Sequence, residues 1–266
     1  MAHDSLMTRL FRYVNSQNKK DTNHDIAVSL LRHYNEIPDK TINELADMCY
    51  ASPASISRFV KTMGFDSFQD FKETCRNTLQ INSTDYSLKT VKSDRNEMSE
   101  IFNRYTKDVI SNIIFAKETL EYDQLEDVCS SIRESDRILV LGLEFSTLLS
   151  QHIQSRFALM NKYVEVALSY EEQIEAAKSM TENSTVIILS LEGGFIYRRE
   201  DVVKVLREKN VKIILITMNG VNKVVNEFEK KQIILCGKSN ENTEGRIALL
   251  YIIEIIIMYY LIYYSY

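Results

Sequence analysis

TINELADMCYASPASISRFVKTMGF, residues Thr41 to Phe65, holds two short amphipathic segments joined by a tight turn. Thr41 followed by Glu44 forms a T-x-x-E capping box, which starts a helix whose apolar face is Ile42, Leu45, Ala46 and Cys49. Tyr50 and Ala51 then turn the chain. Ser52 caps a second helix, and Pro53 suits its first position because it has no N–H to satisfy. Ile56, Phe59, Val60 and Met63 share one face of that helix, and Gly64 is placed to end it in the left-handed conformation.

The other face decides what the pair of helices is for. It carries Ser52, Ala54, Ser55, Ser57, Arg58, Lys61 and Thr62, and no Asp or Glu occurs between Asp47 and Asp66. Hydroxyls and N–H groups at a helix N-terminus, with basic residues one and two turns on, suit a helix in the DNA major groove: the first meet phosphates or base edges, the second reach guanine or the backbone. Thr41, Ser52, Ala54, Ser55, Ser57, Arg58 and Lys61 are therefore the candidate DNA contacts. The plainer reading is two solvated helices of a small bundle; the acid-free face and the order of the caps favour DNA.

Around this stretch, residues 1–80 read as short helical pieces and form a helix-turn-helix DNA-binding domain. Residues 81–96 lose apolar periodicity and fill with Ser, Thr, Asn, Asp and Lys, as a linker does. The net charge is −5, and residues 1–80 hold 10 basic and 10 acidic side chains, so the acidic excess lies entirely in the remainder. A local basic surface on the first domain is compatible with that balance.

From 97 to 266 the pattern changes. A helical stretch over Glu97–Leu120 precedes five short apolar runs: RILVLG from Arg137, YVEVAL from Tyr163, STVIILS from Ser184, VKIILIT from Val211 and QIILC from Gln232. Helical patterns separate them, which implies βαβ crossovers and an α/β fold with a five-stranded parallel sheet covered on both faces. The last segment, Ile247 to Tyr266, is apolar enough to be weighed as a membrane span. Glu254 in its middle, the lack of a flanking basic cluster and the need to cover the sheet favour a buried or subunit-interface helix, hence no membrane and a dimer.

Glu44-Leu45-Ala46, Ser55 to Phe59, Gly64-Phe65 and the Phe68 to Lys72 tail together resemble the helix-turn-helix of the RpiR family of bacterial transcriptional regulators. In that family a sugar-isomerase (SIS) domain follows, where this chain has its five runs. The resemblance implies a dimeric or tetrameric repressor or activator of sugar or amino-sugar genes, whose SIS domain senses a phosphosugar and whose two reading heads meet an inverted repeat. SIS phosphate loops resemble G-x-G-x-S and S-x-S-G-x-T. Here they read GLEFS (Gly142 to Ser146) and SLEGGF (Ser190 to Phe195), making Ser146, Ser190, Glu192, Gly193 and Gly194 the candidate effector residues. Glu144, Glu192 and Phe195 depart from the pattern, two by adding a carboxylate that repels a dianion and one by removing a donor. The pocket then either takes a modified ligand, cationic or polyol in part, or serves mainly to hold a dimer. Arg198 and Arg199 are expected on the surface of the next helix, within reach of Glu192.

An isomerase of the same fold would need a base beside a carbonyl. His3, His24 and His33 lie in the first domain, where surface positions are expected, and His152 falls on a helix after Ser146. Glu171 and Glu172 are accounted for by the positive end of a helix. Without a catalytic constellation, metal-ligand spacing or P-loop, the sequence points to no enzyme, no metal and no cofactor. Four scattered cysteines, no C-x-x-C and no signal-peptide pattern lead us to expect reduced thiols in a cytoplasm.

Overall fold

The computed structural model describes residues 4–16, 21–85, 95–219, 228–229, 232–238 and 245–265, which fall into two compact units. In the first, α1 (Leu6–Ser16), α2 (Thr22–Arg32), a 3-10 turn (Tyr34–Asp39), α3 (Ile42–Met48), α4 (Pro53–Thr62) and α5 (Phe68–Asp85) surround one core. Leu10, Ile26, Leu30, Leu45, Ile56, Phe59 and Phe71 are all buried in it. The faces expected to point inward from α3 and α4 do so. Helix α5 continues five residues past the expected domain end at Gln80, to Asp85; residues 86–94 of the expected linker lie outside the described residues.

The second unit begins with α6 (Arg95–Thr119) and α7 (Tyr122–Glu134), and then alternates strands with helices. These are β1 (Arg137–Gly142), α8 (Phe145–Ala158), β2 (Glu165–Val166), α9 (Tyr170–Ser179), β3 (Ser184–Leu189), α10 (Gly194–Arg198), α11 (Glu200–Glu208), β4 (Lys212–Asn219), β5 (Ile233–Lys238) and α12 (Gly245–Tyr264). The five strands pair in parallel in the order β2-β1-β3-β4-β5.

The apolar runs are nearly continuous because the sheet is covered on both faces, and the two-residue period of the strands sorts their side chains between two cores. Ile138, Val140, Ile187, Leu189, Ile214 and Ile216 face α7, α8 and α12, whereas Leu139, Leu141, Val186, Ile188, Ile213 and Leu215 face α9 and α11. The run YVEVAL contracts to Glu165 and Val166, which alone pair with β1. Arg137 fastens that short edge by donating from Nε and Nη2 to the two carboxylate oxygens of Glu165, at 2.8 and 2.7 Å.

Strand order fixes where a ligand would sit. From β1 the chain crosses to β2 on one side and then to β3 on the other, so a crevice opens at the carboxyl ends of β1 and β3.

Candidate functional site

Two local motifs set α3 and α4. Thr41 accepts from Glu44 N at 3.3 Å while Glu44 Oε2 accepts from Thr41 N and from its hydroxyl, both at 2.7 Å, closing the capping box. Those bonds favour the charged carboxylate and hold Glu44 below the usual carboxylate range. At α4, Ser52 Oγ accepts from Ser55 N at 3.1 Å and lies 3.0 Å from Ser55 Oγ. Arg58 Nη2 reaches Ser55 Oγ at 3.3 Å, so Ser52, Ser55 and Arg58 form one line of donors along the helix.

The far end is equally fixed. Gly64 has φ +78, with Gly64 N bonded to Lys61 O and Phe65 N to Val60 O, the double bond pattern that a left-handed stop provides. Arg9 holds this end from α1: Nη1 donates to Met63 O at 2.7 Å, and the guanidinium stacks 4.6 Å from the centre of the Phe65 ring. Sequence reasoning missed Arg9, because nothing in its neighbourhood announces a partner 54 residues away.

Ser52, Ala54, Ser57, Arg58 and Lys61 are exposed and Ser55 half-buried, while Ile56, Phe59 and Val60 face the core. Thr41 is exposed too, with its hydroxyl engaged in the cap. Lys61 bends back to bond the carbonyl of Asp66, which leaves Arg58 as the more outward of the two cations. Tyr50, at the turn, is 99% exposed and takes φ +50, a conformation that costs an L-residue about 1–2 kcal/mol.

In the second unit the structure brings together the two loops that the sequence singled out. Ser146 is buried at the start of α8 against Gly142: a Cβ built on Gly142 would lie 2.6 Å from Ser146 Cβ, so only glycine fits there. Ser190 accepts from Phe195 N at 3.0 Å, and Gly193 supplies φ +77 at the turn. Glu192 is exposed on that turn, and Gly194 has open space above it. Phe195 does more than remove a donor. Its ring is buried in the same apolar cluster as Ile188 of β3 and Leu215 of β4, and its N–H anchors the loop.

Of the two arginines expected on the surface, Arg198 stays part-exposed and Arg199 is buried, which corrects the expectation for Arg199. Arg198 reaches across the crevice and places both terminal nitrogens 3.2 Å from Glu144 Oε1. Arg199 is 1% exposed; its Nε donates to Gln173 Oε1 at 2.8 Å, and its guanidinium lies 5.1 Å from the centre of the Tyr170 ring. Gln173, equally buried, donates in turn to Gly142 O at 3.2 Å and Ala167 O at 3.4 Å. A polar floor thus runs from the start of α11 to the end of β1. Only the interleaving of Gln173 within an otherwise exposed helix start hinted at it.

Of the candidate bases, Glu172 closes a second capping box with Ser169. His152 Nε2 lies 2.5 Å from Glu254 Oε1 on α12. His33 pairs with Glu36, and His24 is part-buried, not on the surface as expected. His3 lies outside the described residues.

Fold and site define a two-unit protein, a helix-turn-helix unit joined to an α/β unit with a crevice at its sheet reversal. Residues 9–81 match the helix-turn-helix domain of the rpiR family, and residues 131–263 match the SIS domain. The chain belongs to the rpiR family, in its helix-turn-helix plus SIS arrangement. An uncharacterized HTH-type transcriptional regulator of Clostridium perfringens is 26% identical over 187 residues, spanning 69% of this chain and 65% of that protein. The Vibrio vulnificus NanR protein, solved in complex with ManNAc-6P, superposes with a TM-score of 0.53 at 12% identity, covering 97% of this chain and 92% of that one. A phosphoheptose isomerase of Neisseria gonorrhoeae shares the fold of the second unit, with a TM-score of 0.51 at 12% identity over 61% of this chain and 98% of its own.

Proposed function

We propose that the protein is a cytoplasmic transcriptional regulator that binds double-stranded DNA through α4 and senses a phosphosugar-like effector at the crevice between β1 and β3. One observation carries the DNA reading: a capped, acid-free helix face, Ser52 to Lys61, stands exposed on a helix-turn-helix unit whose opposite face is buried. The matching family model and the relatives' names support the same reading. The first unit carries balanced charge, so useful affinity comes from pairing two units on an inverted repeat as a homodimer or homotetramer. Genomic footprinting followed by anisotropy titration of the recovered duplex tests this. A folded protein that prefers no duplex sequence at low ionic strength would overturn it.

For the effector, the sugar phosphate held by the NanR neighbour supports the ligand class. The Glu144–Arg198 bridge across the crevice favours a second reading, in which the pocket is closed and the unit only holds the subunits together. Calorimetry with hexose, pentose and amino-sugar phosphates separates them. The isomerase alternative is disfavoured because His152 is engaged by Glu254 and Glu172 by its own helix cap.

A further inference from the structure

Helices α3 and α4 end in the same way. After α3, Ala51 N bonds Ala46 O at 2.9 Å and Tyr50 N bonds Asp47 O at 3.1 Å; after α4, Phe65 N bonds Val60 O at 3.2 Å and Gly64 N bonds Lys61 O at 2.9 Å. Both are the paired bonds of a stop that needs one residue in the left-handed region. Gly64 takes that place at φ +78, and Tyr50 at φ +50. Glycine fills it freely, whereas the Cβ of another L-residue crowds the next carbonyl. Asn161 and Asn210, which also have positive φ, carry the short amide side chain that tolerates this region; an aromatic ring brings no such tolerance.

The ring adds no packing to its own unit. Tyr50 is 99% exposed, and its neighbours Cys49 and Ala51 are the residues that pack on the core. A lone exposed aromatic is ordinary on a protein surface. One held in a strained conformation, where the same chain uses glycine one helix later, points to a contact outside the folded chain.

Position says what that contact is. Tyr50 stands two residues before Ser52, the N-cap of α4, so the two Cα atoms lie within about 7 Å of each other. It belongs to the acid-free span between Asp47 and Asp66 and is followed by the exposed residues Ser52, Pro53, Ala54, Ser57 and Arg58. These are small or polar, so the ring is not part of an apolar patch of the size that a protein partner needs. A phenol offers an O–H donor on a rigid stem, and tyrosine is among the side chains that grip phosphates while another element reads bases. A helix that enters the major groove with its N-terminus leading brings the residues just before its cap to the edge of the groove, where the phosphates run.

We propose that Tyr50 is an anchor to the DNA backbone: its phenolic O–H donates to a phosphate oxygen at the edge of the groove that α4 enters, and fixes the register of the helix without reading sequence. This rests on the DNA reading proposed above.

The test compares Tyr50→Gly and Tyr50→Phe in the full-length protein, by thermal melts and by anisotropy titration with the footprinted duplex and a random-sequence duplex. Tyr50→Gly relieves the backbone, so it should melt at or above the wild type. It should nevertheless bind both duplexes at least tenfold more weakly. Tyr50→Phe keeps the ring and the backbone and loses only the O–H. It should melt with the wild type and lose about tenfold in affinity, the scale of one hydrogen bond to a charged group. Because the donor is uncharged, the slope of log affinity against log salt should stay at its wild-type value in both variants. Should glycine unfold the unit, Tyr50→Phe alone decides.

Wild-type affinity in Tyr50→Phe overturns the anchor. A loss confined to the footprinted duplex would make Tyr50 a reader of bases and overturn it too. So would a fall in sedimenting mass in either variant, which would assign the ring to a contact between proteins. A wild type that prefers no duplex removes the DNA reading and this inference together, whereas a wild type that binds its duplex, matched by both variants, removes this inference alone.

Discussion

Arg198 and Glu144, 54 residues apart, meet across the crevice: both terminal nitrogens of the guanidinium lie 3.2 Å from one carboxylate oxygen. Glu144 does so from φ 53 and ψ −111, a region that suits glycine and costs other residues on the order of 1–3 kcal/mol. A strained carboxylate therefore stands at the crevice by the sheet reversal and holds the guanidinium of Arg198.

Glu144→Gln should tighten binding of a sugar phosphate. The substitution removes a negative charge and frees Arg198; after screening at this partly exposed site, about 1.4 kcal/mol, or tenfold in affinity, is the expected scale. Titration calorimetry reads it directly. Weaker or equal binding would mean that Glu144 contacts the ligand itself.

Ser52 separates stability from recognition. Ser52→Ala removes the cap of α4 and should cost about 1 kcal/mol of unfolding free energy. Ser52→Asp retains a cap, and so should melt close to wild type, but it puts a carboxylate on the acid-free face and should weaken operator binding at least tenfold. Paired thermal melts and anisotropy titrations check both halves of the expectation.

Arg58 is exposed and Lys61 is tied to the Asp66 carbonyl. Arg58→Ala should weaken binding by about 1–3 kcal/mol and blur sequence preference, as for a base contact, and leave dimerisation intact. For Lys61→Ala the expected change is smaller: the slope of log affinity against log salt falls by about one, with preference unaltered. Titrations over a salt series with matched and mutated duplexes distinguish the two.

The buried thiols set an alkaline limit. Burial pushes Cys75 up to about 11, and Cys129 and Cys236 up to about 12. These acids stay neutral in both folded and unfolded chains below the ordinary thiol range, so stability near neutrality is unaffected. Above about pH 8.5 the unfolded chain ionises first, and their contribution is lost progressively as pH rises toward 11 and 12. Denaturant midpoints measured from pH 7 to 10.5 should hold level and then decline; a level profile throughout would contradict the burial argument.

How much of this was legible in the sequence depended on the range of the interaction. The caps at Thr41 and Ser52 and the stop at Gly64 are read from neighbours three or four residues away, and the structure has all three. The five runs became the five strands because a doubly covered sheet demands continuous apolar stretches. What the sequence hid was set by strand order. Arg198 meets Glu144 only because β1 and β3 are neighbours, and Arg199 is buried because α9 packs on α11 and presents Gln173.

The buried run from Arg199 through Gln173 to the Gly142 carbonyl has a mechanical meaning. It braces the end of β1 against the helices on the far face of the sheet with bonds that have no water to replace them. An occupant that lifts the strand end must drag α9 and α11 along with it or break a desolvated charge-assisted bond, so the crevice has a stiff floor, whereas the Glu144–Arg198 pair above it is part-exposed and water can replace its bonds.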